Sequence, residues 1–165
     1  MEFLESIEIC QWANARGVRC DAHADADLRV QLPELEPGAV IAYAAGRRSG
    51  REAAAARDLV RGLGEWDECL AWIRVWGVWP SREDWPAFYA WRGARGEHRS
   101  LDEAPGHRFD RHDRPLLIEL VTLVMENAWD ADVLCCRQGR ADRLRATISH
   151  DEWYQLLGSS SGSVR

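Results

Sequence analysis

Asp21, His23, Asp25 and Asp27 occupy alternate positions of the stretch DAHADAD. In a strand, alternate side chains project from one face, so all four would point the same way. Carboxylates grouped with an imidazole can hold a divalent ion and activate a bound water, as in a metal-dependent hydrolase. The interleaved alanines also suit a solvated loop, and no second ligand cluster points to the same place.

A second stretch, GRRSGRE, sets Arg47, Arg48 and Arg51 around a glycine-bearing turn that precedes a helix. Guanidinium groups at a helix N-terminus can receive an anion. Asp110, His112 and Asp113 in FDRHDR, with His107 just before, could do general acid–base work, but capping and solvation explain them as well. Ser149, His150 and Asp151 are consecutive, so their side chains diverge and form no proton relay. The spacing of Ser149 and Glu152 instead predicts a capping box at the start of a short helix. Arg137, Arg140, Arg143 and Arg145 make the C-terminal stretch locally basic, which protects a hairpin edge.

The chain contains no lysine; all 21 basic residues are arginine. This excludes a Walker A phosphate loop, a pyridoxal phosphate Schiff base, a protein-kinase site and nuclease sites built on a catalytic lysine. The net charge of −6 argues against general nucleic-acid binding and favours encounters with a basic protein partner. The five cysteines form no CxxC pair, so no zinc ribbon or thioredoxin-like site is signalled, and buried reduced thiols are expected. No apolar run reaches membrane-spanning length, and the acidic start, MEFLESIEIC, does not read as a signal peptide. The expectation is a cytoplasmic protein with no cofactor, no membrane contact and no nucleic-acid partner.

The residue pattern must position these groups. Helical spacing predicts helices over 2–16, 50–63 and 66–76, a further helix capped by Ser81 or Asp84, with Pro86 in a first turn favouring Asp84, and an apolar helix after Asp113. The polar segment 97–113 reads as an irregular loop. Strands are predicted at 28–32 and 39–45, which could pair as a hairpin, and at 131–136 and 143–148 around a turn near Gly139. In the last of these, Leu144, Ala146 and Ile148 alternate with polar residues, so one face is buried. The expected fold is α+β: a layer of five to six helices on a small, mostly antiparallel sheet built from two hairpins. It occupies 1–157 as a single domain, followed by a flexible tail over 158–165.

Six of the nine tryptophans fall between Glu65 and Trp91. On a helical wheel Trp66, Cys69, Leu70, Ile73 and Trp76 share one face, which is a core pattern. Trp79, Asp84, Trp85 and Trp91 flank the turn GVWPSREDWP, where aromatic and charged residues together could form a binding patch. With no convergent catalytic set, the expected function is a non-catalytic protein–protein interaction module, such as a bacterial immunity- or antitoxin-like inhibitor or an adaptor. The alternative is the hydrolase built on Asp21, His23, Asp25 and Asp27.

Overall fold

A computed structural model describes residues 1–22, 28–31, 37–43, 50–76, 85–141 and 144–158. In chain order the elements are β1 (Glu2–Leu4), α1 (Ser6–Ala15), β2 (Arg19–Ala22), β3 (Leu28–Gln31), β4 (Pro37–Ala42) and α2 (Arg51–Gly62). They continue with β5 (Glu68–Val75), α3 (Trp85–Gly93), β6 (Gly106–Asp110), α4 (Arg114–Glu126), β7 (Asp130–Cys136), β8 (Leu144–Ser149) and β9 (Trp153–Gly158). Seven strands form one sheet in the order β1-β6-β5-β7-β8-β9-β4, and every neighbouring pair is antiparallel. β2 and β3 pair separately.

β5 explains the architecture. Its sequence ECLAWIRV is rich in aromatic and β-branched residues, and Cys69 through Ile73 are all buried. Cys69, Ala71 and Ile73 face one side, with Ala131, Val133, Cys135, Ala146, Ile148 and Tyr154 of neighbouring strands. There they meet Leu59 and Val60 of α2, Phe88 of α3, and Leu117, Leu120, Val121 and Val124 of α4. Leu70 and Trp72 face the other side, with Leu134 and Cys136, beneath Ile9, Cys10, Trp12 and Ala13 of α1. Gly106 lets α1 settle there, because a Cβ at that position would lie 2.6 Å from Ile9 Cγ1.

The layer of five to six helices on two hairpins is therefore corrected, among the described residues, to four α-helices around a seven-stranded antiparallel sheet. The predicted helix over 66–76 is the strand β5. A strand buried on both faces shows a continuous apolar run, and that run also satisfies a helical wheel. The first helix is preceded by a strand, β1, and the polar segment 97–113 contains β6. The short helix predicted after SHDE is β9. Ser149–Glu152 instead forms the β8–β9 turn: Glu152 adopts a φ of 66°, its N–H donates to the Ser149 carbonyl at 3.1 Å, and Ser149 Oγ accepts from the Asp151 N–H at 3.2 Å. The strands predicted at 28–32 and 39–45 exist as β3 and β4 but do not pair with each other; β3 pairs with β2 and β4 with β9. The helices at α2 and α4, the strands β7 and β8, and the turn at Gly139 (φ 77°) match the expectation.

Cys10 and Cys20 form a disulfide linking α1 to β2, in place of the reduced thiols expected. Cys69, Cys135 and Cys136 are free and buried. Denatured protein without reductant should therefore show three alkylatable thiols by mass spectrometry, and five after reduction. The crosslink spans a sequence separation of 10, which in the chain-entropy account stabilises the fold by about 2–3 kcal/mol. Cys10→Ser should lose that amount in urea melts, and the difference from wild type should vanish when reductant is added.

Candidate functional site

The two ends of the large sheet are built differently. β1 closes one end with three residues, guarded by ion pairs from Glu2 to Arg108 at 2.8 Å and from nearby Glu5 to Arg99 at 3.0 Å. β4 closes the other end with PGAVIA, which carries no charge. Among the described residues four large apolar side chains are exposed, and two are adjacent on this strand: Val40 at 59% and Ile41 at 42%. Strand edges without charges are open to pairing with another chain.

The ladder settles which backbone groups are offered. Tyr43 N–H donates to the Glu152 carbonyl at 3.0 Å. The register continues inward as Ala42 opposite Trp153, Ile41 opposite Tyr154 and Val40 opposite Gln155. Inward and outward amides alternate along an antiparallel strand, so Ile41 bonds to β9 as Tyr43 does. Val40 and Ala42 turn their N–H and C=O groups to the outer side, where no described strand lies. Gly38 keeps β4 close to β9: a Cβ there would come 2.5 Å from the Leu156 carbonyl oxygen. Gln155 Nε2 adds a bond to the Gly38 carbonyl at 2.7 Å.

A polar cluster lies on the α1 side of the sheet. Asp132, in the middle of β7, is 1% exposed. Its Oδ1 accepts the Thr147 hydroxyl at 2.7 Å. Arg74 Nε is 2.7 Å from Oδ2, a charge contact outside hydrogen-bond alignment. Arg145 Nε sits 3.9 Å from Oδ1, with its side chain 12% exposed. Nearby, Asp130 Oδ1 accepts both the His150 backbone N–H at 2.7 Å and its Nδ1 at 2.9 Å, fixing the β8–β9 turn. A carboxylate between two guanidiniums, with a hydroxyl on one oxygen, is a brace between β5, β7 and β8; it presents no activated nucleophile.

A second polar cluster organises the segment between α3 and β6. Arg92 is fully buried and donates from Nη1 to the Ala104 carbonyl at 3.0 Å. From Nη2 it donates to the carbonyls of Arg99 at 3.3 Å and Ser100 at 3.4 Å. Its guanidinium stacks over Phe3 and Phe88, at 5.1 and 5.4 Å from the ring centroids. His107 Nε2 lies 3.4 Å from Arg92 Nη1. A guanidinium only donates, so this ring nitrogen is the unprotonated one. Burial, and then the Arg92 charge, hold His107 down to about 3. The Arg99 guanidinium holds Glu97 down to about 2.

The residues singled out from sequence fall as follows. Trp85 and Trp91 are half-buried in an aromatic cluster with Phe88 and Trp129. Trp85 meets the Trp129 ring edge-on at 5.4 Å. Trp91 Nε1 donates to Glu119 Oε2 at 2.8 Å, and Arg95 stacks on its ring at 4.2 Å. Trp79 and Asp84 lie outside the described residues, as do Arg47, Arg48, His23, Asp25 and Asp27. Arg51 opens α2 and is exposed; Asp21 is in β2, opposite Arg29. The described residues hold no group of three or more His, Cys, Asp or Glu suited to a metal ion. No helix among them is long and apolar enough to cross a membrane. Sequence reasoning missed the β4 edge. The sequence shows it as six consecutive uncharged residues with Val40 and Ile41 adjacent, a run that an inner strand could carry equally well.

Two predictions follow from the buried charges. Asp132→Ala leaves Arg145 without its counter-charge in the sheet, and should destabilise the protein by about 3–5 kcal/mol in urea unfolding; a loss under about 1 kcal/mol would remove the cluster's bracing role. For His107, the folded value lies below the ordinary value near 6.5, so the unfolded chain binds the proton more readily. The stability held by the neutral ring is complete above about 6.5 and declines as pH falls from there toward about 3, by about 1.4 kcal/mol per unit. His107→Gln should show a shallower acid slope over that window in pH-dependent urea melts; an unchanged slope would mean the ring does not titrate this way.

Compared with known proteins, the chain matches no protein family, no curated protein and no solved structure.

Proposed function

We propose that this protein is a non-catalytic protein-interaction module that docks by strand addition at β4. One observation carries the reading: the sheet has a charge-guarded end and an uncharged end, and the uncharged end exposes Val40 and Ile41 together with outward backbone groups of Val40 and Ala42. In strand addition the main chain supplies affinity, and alternate side chains on the two faces supply selectivity. Val40 and Ile41 lie on opposite faces, so an added strand would be gripped from both.

The polar clusters support the same reading by their chemistry. The carboxylates and guanidiniums around Asp132, Arg92 and Glu97 bond to one another, to carbonyls and to a hydroxyl, which tie strands and loops together. The β4 edge offers main-chain bonding capacity on its outer side, where no described strand lies.

Ala42→Pro is the informative variant. It removes an N–H that points away from β9, and proline is tolerated on the solvent side of an edge strand. The wild type should co-purify a partner whose crosslinks map to residues 38–43, and Ala42→Pro, still folded by circular dichroism, should lose it. A partner retained in full by Ala42→Pro would overturn docking at β4.

A further inference from the structure

We infer that the strand added at β4 is a second copy of β4, so that the protein forms a two-fold dimer with one continuous antiparallel sheet. The inference rests on the strand-addition reading and names its partner.

β4 is self-complementary. Two antiparallel strands related by a two-fold axis normal to the sheet keep their faces, so paired residues must belong to the same face. The outward backbone groups belong to Val40 and Ala42. Their reciprocal pairing puts Val40 opposite the second copy's Ala42, Ala42 opposite its Val40, and Ile41 opposite its Ile41 on the axis. All four bonding groups of each strand, two N–H and two C=O, then find partners. The larger Val40 meets the smaller Ala42 on one face, and the two Ile41 side chains meet on the other. Both apolar side chains left exposed on β4 are covered by this one arrangement.

Charge agrees at short range. PGAVIA has no ionisable side chain, so self-pairing places no like charges in register. Each chain carries −6 overall, but repulsion between exposed charges is largely screened beyond about 8 Å at physiological salt. The dimer should therefore tighten as salt rises from low values. An interface this narrow makes a weak dimer whose population depends on concentration.

Sedimentation of the full chain over a concentration series is the test. The wild type should show a monomer–dimer equilibrium, and Ala42→Pro should shift it to monomer. Ile41→Lys and Ile41→Glu each set like charges against each other on the axis, and each should weaken the dimer by roughly tenfold or more. An equimolar mixture of the two variants should dimerise again, because the axis then pairs opposite charges. That rescue cannot come from misfolded chains. A wild type that stays monomeric up to its solubility limit overturns the dimer. So does a dimer that Ile41→Lys and Ile41→Glu leave unchanged, or a mixture of the two that remains monomeric. A monomeric wild type whose partner is still lost on Ala42→Pro would sink the dimer and keep strand addition to a different protein. A partner retained by Ala42→Pro would sink both.

Discussion

Burial of β5 on both faces is the constraint from which the rest of the fold follows. Cys69, Ala71 and Ile73 need an apolar layer on one side; Leu70 and Trp72 need one on the other. α2, α3 and α4 supply the first, and α1 with the disulfide-linked β2 supplies the second. β6 and β7 then occupy both edges of β5, so its main-chain groups are satisfied within the sheet. Because each face is covered differently, a slip of one residue would send every β5 side chain to the wrong layer. The two-sided core therefore selects the register as well as the topology.

Within that apolar setting the buried charges act as fasteners. Asp132 stands between Trp72 of β5 and Thr147 of β8, and its carboxylate meets Arg74, Thr147 and Arg145, so it ties β7 to both neighbouring strands. Arg92 does the corresponding work for a stretch without regular structure, gathering the carbonyls of Arg99, Ser100 and Ala104 onto α3. Burying such groups is costly unless they are paired, and their removal costs more than their presence contributes. They specify one arrangement of elements that hydrophobic packing alone would leave less well defined.

Helices with one wet face were legible in the sequence: α2 and α4 stand where periodicity put them, and the Pro115 start of α4 follows the ordinary preference for proline in the first turn. The hairpin β7–β8 was legible through alternation. β5 was not, because two-sided burial erases the period of two that marks a strand. β6 was hidden by its composition, since GHRFD places His107 in the interior by pairing it with Arg92, a contact across fifteen positions that no local pattern displays. β9 was hidden by a false cap, as Ser149 serves a turn. Trp66 and Trp76 were read on one helical face and Trp85 and Trp91 as flanking a turn, yet the indoles are divided between layers: Trp66 in the helix-side core, Trp72 under α1, and Trp85 and Trp91 in the α3 cluster. The β4 edge was visible as residues but not as an edge, because which strand ends a sheet depends on pairings made far along the chain.

Those distant pairings give the sheet a history as well as a shape. Its two outermost strands both come from the first part of the chain: β1 pairs around Arg108 and β4 around Gln155. The middle of the sheet is drawn from residues between Glu68 and Gly158, where β7, β8 and β9 follow one another through short turns. Closing long loops is slow relative to forming adjacent hairpins. β4 is synthesised well before β9, so its pairing in the sheet cannot form until late in synthesis. Of the sheet's two end strands, β4 is the one whose partner is made later, and late pairing of a strand is a route by which newly made chains mispair with their neighbours.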